Sequence, residues 1–144
     1  MAIYVDTSAL IKRYLPERGS DRWERFVGQE NEDLLISPLT LTEVESTLQR
    51  RVRQREVDAP FAASARDLLA RDLETAVWSM QPFDPNVIPH ATRLIREIGV
   101  PLATLDALHL ACAQAYGCDR VATADRQFAR AVERCSLEVH EFWE

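Results

Sequence analysis

The sequence predicts an α/β fold in which helices cover both faces of a central parallel sheet of about five strands. Strand and helix patterns alternate along the chain, and this order is typical of such sheets. The chain has 144 residues, a length that predicts one domain over residues 1–144. Because 47% of the residues are hydrophobic, the domain can build a core without disulfides or a structural metal.

The strands are predicted from short apolar runs. In chain order, the expected strands are the ranges 3–6, 34–37, 77–83, 121–123 and 137–142. Open parallel sheets bind ligands beyond the carboxyl ends of their strands. Polar side chains that follow these runs are therefore the first candidates for a functional site.

Helix-capping residues follow the first strand. Thr7 or Ser8 is the expected N-cap of the first helix, which Pro16 ends. Ser20 or Asp21 is the expected N-cap of a second, short helix. The sequence therefore predicts two short helices before the second strand.

A longer helix follows the second strand, with Leu41, Val44, Leu48 and Val52 along one apolar face. Its end, over residues 50–55, is strongly basic. Two interpretations of this basic end stay open: a solvated helix terminus, or a patch that binds RNA phosphate or a partner protein.

The remaining helices have start or stop signals. Asp58 is the expected N-cap of the fourth helix. The fifth begins near Asp84 and is ended by Gly99. The sixth spans about 104–116 and is apolar on most faces, so we expect it at the centre of the fold. A seventh helix contains Phe128.

Composition excludes several classes of protein. The three cysteines are odd in number and show no C-x-x-C pair, so neither a disulfide framework nor a zinc knuckle is expected. No signal peptide or membrane span is predicted, and we expect a cytoplasmic protein. The net charge of -6 argues against a general nucleic-acid coat, but it leaves room for a nucleic-acid enzyme with local contacts.

Four acids lie beside apolar runs that ought to be buried. They are Asp6, Glu43, Asp106 and Asp125. An unpaired charge is costly to bury, and carboxylates brought together repel one another unless a cation lies between them. Mg²⁺ and Mn²⁺ prefer such oxygen ligands. The acids therefore predict a divalent-metal site, with the hydroxyls of Thr7, Ser8 and Thr123 beside it.

Each acid also has an ordinary explanation. Glu43 fits a capping box with Thr40 as N-cap, and Asp106 could complement a helix dipole. Asp125 could be an N-cap, and Asp6 could accept hydrogen bonds from the backbone of the first helix. Together these explanations are weaker, because all four positions also flank core-forming runs.

Other polar residues are secondary candidates. His109 follows Asp106 by three residues, and it is either a core histidine bonded to a carboxylate or a catalytic base. The remaining candidates are basic side chains that could contact RNA or a partner protein. They are Lys12, Arg13, Arg50 and Arg51.

Four ordered segments resemble PIN-domain ribonucleases of the VapC-like toxin group. They are IYVDTSAL at 3–10, SPLTLTEV at 37–44, LDALHLA at 105–111 and TADRQF at 123–128. The set spans nearly the whole chain and contains all four acids. The hydroxyl of Thr123 matches the one usual in the last motif.

The resemblance implies a PIN-like three-layer sandwich and a metal-dependent endoribonuclease. By this resemblance Asp6, Glu43, Asp106 and Asp125 would bind Mg²⁺ or Mn²⁺. In the mechanism we expect, the three aspartates hold the ion, and Glu43 completes the ligand set or orients the attacking water. The implied substrate is tRNA or rRNA. The implied partners are a cognate antitoxin, which covers the acidic groove, and a second copy of the chain in a homodimer.

The alternatives are another α/β phosphate-handling enzyme and a catalytically inactive PIN-fold binding module. Two types of phosphate-handling enzyme lack a residue that they need. A haloacid-dehalogenase-like phosphatase needs a second aspartate two residues after the first, where this chain has Ser8. A response-regulator receiver needs a late lysine, and Lys12 is the only lysine here. A catalytically inactive PIN-fold binding module is the alternative from a different class, and the complete set of acids argues against it.

Overall fold

A computed structural model describes residues 2–144 and contains a five-stranded parallel sheet. The strands are β1 (Ile3–Val5), β2 (Leu34–Ile36), β3 (Ser79–Met80), β4 (Arg120–Thr123) and β5 (Glu138–Glu141). Their order in the sheet is β3-β2-β1-β4-β5. The predicted α/β class with a parallel sheet of about five strands is confirmed.

Within residues 2–144, seven α-helices connect and cover the strands. They are α1 (Thr7–Leu10), α2 (Ser20–Gln29), α3 (Pro38–Arg53), α4 (Ala59–Glu74), α5 (Val87–Glu97), α6 (Thr104–Ala115) and α7 (Arg126–Arg134). A short 3₁₀ turn, Ile11–Arg13, continues α1. No helix within residues 2–144 is long and apolar enough to cross a membrane.

Alternating side chains of β1 divide the core into two halves. Ile3 and Val5 pack with residues of α1 to α4 on one face of the sheet. Tyr4 points to the other face and packs with α5, α6 and α7. The molecule therefore has three layers, and the central strands β1, β2 and β4 are buried on both faces.

The topology creates a crevice between β1 and β4. After β1 the chain builds the sheet outward through β2 and β3, and it later returns to place β4 on the other side of β1. This reversal is the switch point at which open α/β sheets bind ligands. Residues that directly follow β1 and β4 therefore meet at one edge.

The third strand is shorter than the predicted range 77–83. Only Ser79–Met80 pairs with β2, which is itself three residues long. The backbone N–H of Val77 donates instead to Asp72 at the end of α4, and Pro82 has no N–H to donate. The length of β3 is therefore limited by its short partner β2, by the hydrogen bond of Val77 and by Pro82.

The predicted N-caps of the first two helices are wrong. Asp6 occupies the N-cap of α1, and Gly19 occupies the N-cap of α2. Gly19 has a φ of +87°, and a Cβ there would lie 2.5 Å from the carbonyl oxygen of Phe142. The position therefore requires glycine. In contrast, the predicted cap Asp58 does accept a hydrogen bond from the N–H of Phe61.

Candidate functional site

Asp6 is placed at the end of β1 and is almost fully buried. Its Oδ2 accepts hydrogen bonds from Ser8 Oγ at 2.6 Å and from Thr123 Oγ1 at 2.8 Å. Burial raises its pKa, while the positive charge of His109 and these two hydrogen bonds oppose the rise. The Asp6 carboxylate thus accepts hydrogen bonds from hydroxyls and none from the backbone of α1, although Asp6 occupies the capping position.

Thr123 and Ser8 tie the ends of β4 and β1 together. Thr123 Oγ1 also accepts from the N–H of Asp125 at 3.1 Å, and Ser8 Oγ accepts from the N–H of Ala124 at 2.9 Å. The predicted hydroxyls therefore lie beside the acids. They fix the Asp6 carboxylate against the segment that leads to Asp125.

Glu43 reaches the same edge from α3. Its Oε1 accepts a hydrogen bond from Thr7 Oγ1 at 2.9 Å and a second from His109 Nε2. The expected capping box is wrong, because α3 begins at Pro38 with Ser37 as its N-cap. Since Glu43 lies in the second turn, it does not cap the helix and is available to the site.

Asp125 is the N-cap of α7, as one of its two interpretations predicted. Its Oδ1 accepts from the N–H of Gln127 at 2.9 Å and from that of Phe128 at 3.2 Å. Asp6, Glu43 and Asp125 thus share one feature: a single carboxylate oxygen accepts both of the hydrogen bonds. Within residues 2–144, their second oxygens accept none.

Asp106 is influenced by the charges of the other three acids. It lies in the first turn of α6 and is half-buried. Burial, then the negative charges of Asp6 and Asp125, raise its pKa to about 7, while His109 opposes the rise. Glu43 adds a smaller repulsion of the same sign. Neighbouring charges of the same sign raise the pKa of a carboxylate in this way.

His109 is a buried partner of Glu43, as the core-histidine interpretation predicted. Its Nδ1 is 2.5 Å from the hydroxyl oxygen of Tyr4, which donates to Ser37 Oγ at 3.1 Å. Burial alone would lower its pKa, but the hydrogen bond to Glu43 and the charges of Asp6, Glu43 and Asp106 raise it above the ordinary value. A positively charged imidazole donates from both nitrogens, which suits both contacts.

The contact with His109 also changes the pKa of the Glu43 carboxylate. Burial acts to raise its pKa, but the hydrogen bond and the positive charge of His109, with the hydroxyl of Thr7, bring it below the ordinary value. Both shifts favour the charged forms, an imidazolium beside a carboxylate. The imidazolium adds one positive charge beneath a group of negative ones.

Sequence reasoning missed Tyr4 and Ser37. Both are fully buried and connect His109 to the end of β2. Tyr4 stands in the middle of an apolar strand, where an aromatic residue normally signals packing alone. No local pattern links it to a histidine 105 positions away.

The basic candidates do not share one environment. Lys12 is 6% exposed and donates to Glu17 and to the carbonyl oxygen of Arg18. Arg13 lies elsewhere, where its guanidinium binds Asp72 at 2.7 Å and Glu24 at 2.8 Å. Arg50 and Arg51 line a groove beside Glu43.

The carboxylate oxygens of the site are suitable ligands for a hard divalent cation, but they are not arranged as a complete set of ligands. Within residues 2–144, no group of three or more Asp, Glu, His or Cys side chains is arranged so that it could hold a metal ion as it stands. The carboxylates are nevertheless close enough to raise the pKa of Asp106. Their free oxygens are hard ligands, and a cation would relieve the repulsion between them.

A model of the PIN domain matches residues 3–133 of the chain. The chain belongs to the PIN domain family. The match includes β1 to β4 and all four acids. Comparison with curated protein sequences finds no match.

Solved structures share the PIN fold across nearly the whole chain. VapBC from Salmonella typhimurium bound to DNA has a TM-score of 0.69 at 16% identity, covering 99% of this chain and 98% of that chain. VapC20 from Mycobacterium tuberculosis, a sarcin-ricin loop cleaving toxin, has a TM-score of 0.68 at 18% identity, covering 90% and 94%. VapBC2 from Rickettsia felis bound to a promoter DNA fragment has a TM-score of 0.67 at 16% identity, covering 99% of both chains. At such identities the likeness establishes the fold.

Proposed function

We propose that this PIN domain is a Mg²⁺- or Mn²⁺-dependent endoribonuclease that acts as the toxin of a toxin–antitoxin pair. The proposal is carried by the acids of four separate segments: burial, and then the negative charges of Asp6 and Asp125, raise the pKa of Asp106 to about 7, which supports one shared site. An uncompensated cluster of this kind is costly, so its presence is explained best by a cation that binds there. The solved relatives support the choice of RNA and of an antitoxin partner.

In this proposal Asp6, Asp106 and Asp125 hold the ion through oxygens that accept no other hydrogen bond. A bound ion of this type orients a phosphate, activates a water and neutralises the leaving oxygen. Ser8 and Thr123 keep the Asp6 carboxylate in place through its Oδ2. His109 and Thr7 do the same for Glu43 through its Oε1, so Oε2 is available to the ion or to the attacking water.

The partners follow from the same assignment. The substrate is an RNA of the translation machinery, tRNA or rRNA, and the inhibitor is a cognate antitoxin that covers the groove beside the acids. The VapBC structures from Rickettsia felis and Salmonella typhimurium are toxin–antitoxin assemblies, which supports such a partner here. A homodimer and a cytoplasmic location belong to the same proposal.

The test is cleavage of purified tRNA and rRNA by the wild-type protein and by Asp6→Asn. We expect cleavage that needs Mg²⁺ or Mn²⁺ and stops in a chelator. We expect Asp6→Asn to lose at least about 100-fold in rate, because metal centres supply several kcal/mol of transition-state stabilisation. An Asp6→Asn variant that cleaves RNA at the wild-type rate would overturn the proposal.

A catalytically inactive PIN-fold binding module is the second candidate. The observation that favours it is the absence, within residues 2–144, of a group of ligands arranged to hold a metal. Expression in a bacterial host separates the two candidates. A nuclease should arrest growth in a way that Asp106→Ala relieves, whereas an inactive module should give the same growth with either protein.

A further inference from the structure

A groove of about 640 Å³ opens beside Glu43 and follows α3. Helix α3 lines it from Leu39 to Arg51, a rise of about 18 Å. The opposite wall comes from α1 and the turn after it, through Thr7, Lys12 and Glu17. One end of the groove is therefore acidic and the other is basic.

Three side chains of α3 form a row of free donors along this groove. Thr42, Ser46 and Arg50 are exposed and lie four residues apart, so they share one face of the helix. Across residues 2–144, none of the three side chains has a hydrogen bond or an ion pair. The row spans about 12 Å and begins one residue before Glu43.

The other cations of the groove are already neutralised. Arg51 binds Glu17 at 3.4 Å and Glu56 at 2.9 Å. Lys12 binds the other oxygen of Glu17 at 3.1 Å. Among the described residues that line the groove, Arg50 is therefore the one cation that has no anionic partner.

We propose that Thr42, Ser46 and Arg50 contact successive phosphates of a single-stranded RNA segment that leads away from the four acids. This inference rests on the proposed nuclease function and names how its substrate is held. Hydroxyl and guanidinium donors are the groups that position phosphates without reading bases. One strand of a nucleic acid advances at least about 3.4 Å per nucleotide, so the row accommodates up to about three phosphates.

Charge favours RNA over an acidic peptide of an antitoxin as the occupant of this row. A peptide rich in carboxylates would meet the like charge of Glu43 at the acidic end of the groove. A phosphate backbone suits both ends of the groove. Arg50 attracts it at the basic end, and at the acidic end the acids would hold an ion that binds phosphate. The row also explains how a chain with a net charge of -6 presents a local surface for RNA.

The test is fluorescence anisotropy of a short fluorescein-labelled single-stranded RNA, measured in a chelator at several KCl concentrations so that no cleavage occurs. We expect Arg50→Ala to raise Kd about fivefold and to reduce the slope of log K against log salt by about 0.7. Ser46→Ala should raise Kd about twofold. Glu17→Gln should lower Kd, because it releases Lys12 and Arg51 from their shared carboxylate.

Arg53→Ala is the matched control, because Arg53 is exposed on the same helix but does not line the groove. It should change Kd less than twofold and leave the salt slope unchanged. Equal effects of Arg50→Ala and Arg53→Ala would overturn the inference, and so would a wild-type protein that does not bind the RNA. Loss of binding to a labelled oligoglutamate peptide, with RNA binding intact, would assign the row to an acidic partner instead.

The inference and the proposed function fail in different ways. If the nuclease assignment is wrong, the wild-type protein leaves tRNA and rRNA uncut in Mn²⁺ whatever happens at Arg50. If Thr42, Ser46 and Arg50 do not contact the RNA, Asp6→Asn still abolishes cleavage, but Arg50→Ala changes Kd and the salt slope no more than Arg53→Ala does.

Discussion

Nε2 of His109 is hydrogen-bonded to Oε1 of Glu43, and this pair joins the two helix layers around the end of β1. Glu43 belongs to α3 on one face of the sheet, and His109 belongs to α6 on the other. The His109 side chain is fully buried and has Tyr4 on its second nitrogen. The position of one acid of the site is thus fixed from inside the core.

Replacing His109 by alanine should destabilise the protein by about 3 kcal/mol, because it leaves a cavity and an unpaired, half-buried carboxylate. Tyr4→Phe removes one hydroxyl and keeps the pair of Glu43 and His109, so it should cost about 1 kcal/mol. Urea denaturation at neutral pH measures both. A His109→Ala variant within about 1 kcal/mol of the wild type would contradict the role given to this pair.

Asp106→Asn should stabilise the metal-free protein at high pH. The pKa of Asp106 is about 7 in the folded state, above its ordinary value of 3.8, so the folded state binds more protons between these values. Stability contributed by this group is therefore lost as the pH rises from about 4 to 7. Because the group is half-exposed, solvent screening reduces the gain in the variant to about 1 kcal/mol.

Urea denaturation in a chelator at pH 5 and pH 8 measures this effect. The difference between Asp106→Asn and the wild type should be larger at pH 8 than at pH 5. Asp67→Asn is the control, since it removes an exposed carboxylate from α4, away from the four acids. If Asp67→Asn and Asp106→Asn change stability alike at both pH values, the acids do not repel one another as described.

Two glycines of the same region should respond to alanine in opposite ways. Gly19→Ala places a Cβ 2.5 Å from the Phe142 carbonyl oxygen in a left-handed backbone, so we expect a loss of at least about 2 kcal/mol. Gly28 lies within α2, and a Cβ there meets no atom within 4 Å. Gly28→Ala should therefore gain about 0.5–1 kcal/mol. Thermal melts of the two variants test the pair, and a stable Gly19→Ala protein would show that the chain end does not pack as described.

The sheet and the acids could be predicted because their signals are local. Short apolar runs mark the buried strands predicted at 3–6 and 121–123. Asp6 ends the first range and Asp125 follows the second by two residues, so both acids are expected near strand ends. Parallel pairing of β1 with β4 then brings Asp6 and Asp125 to one edge. The capping role of Asp125 was also predicted, as one of two interpretations, and so was a buried His109 bonded to a carboxylate, but the sequence did not identify that carboxylate as Glu43.

The remaining features depend on contacts between distant segments. Gly19 is needed because the backbone of Phe142 passes beside it, and nothing near position 19 records this approach. The length of β3 is set by its partner β2, not by its own apolar residues. Lys12 is the only lysine and looked free for RNA, but Glu17 and the carbonyl of Arg18 hold it in the interior.

The central claim is that Asp6, Glu43, Asp106 and Asp125 form one site for a divalent cation. The most direct test is calorimetric titration of Mn²⁺ into the chelator-treated protein, with thermal melts at the same Mn²⁺ concentrations. We predict a saturable binding event in the wild type and in Asp67→Asn, with a stabilisation of about 2.7 kcal/mol at 100 times Kd, and neither effect in Asp106→Asn. Wild-type protein that binds no Mn²⁺, or that binds it as well as Asp106→Asn does, would contradict the claim.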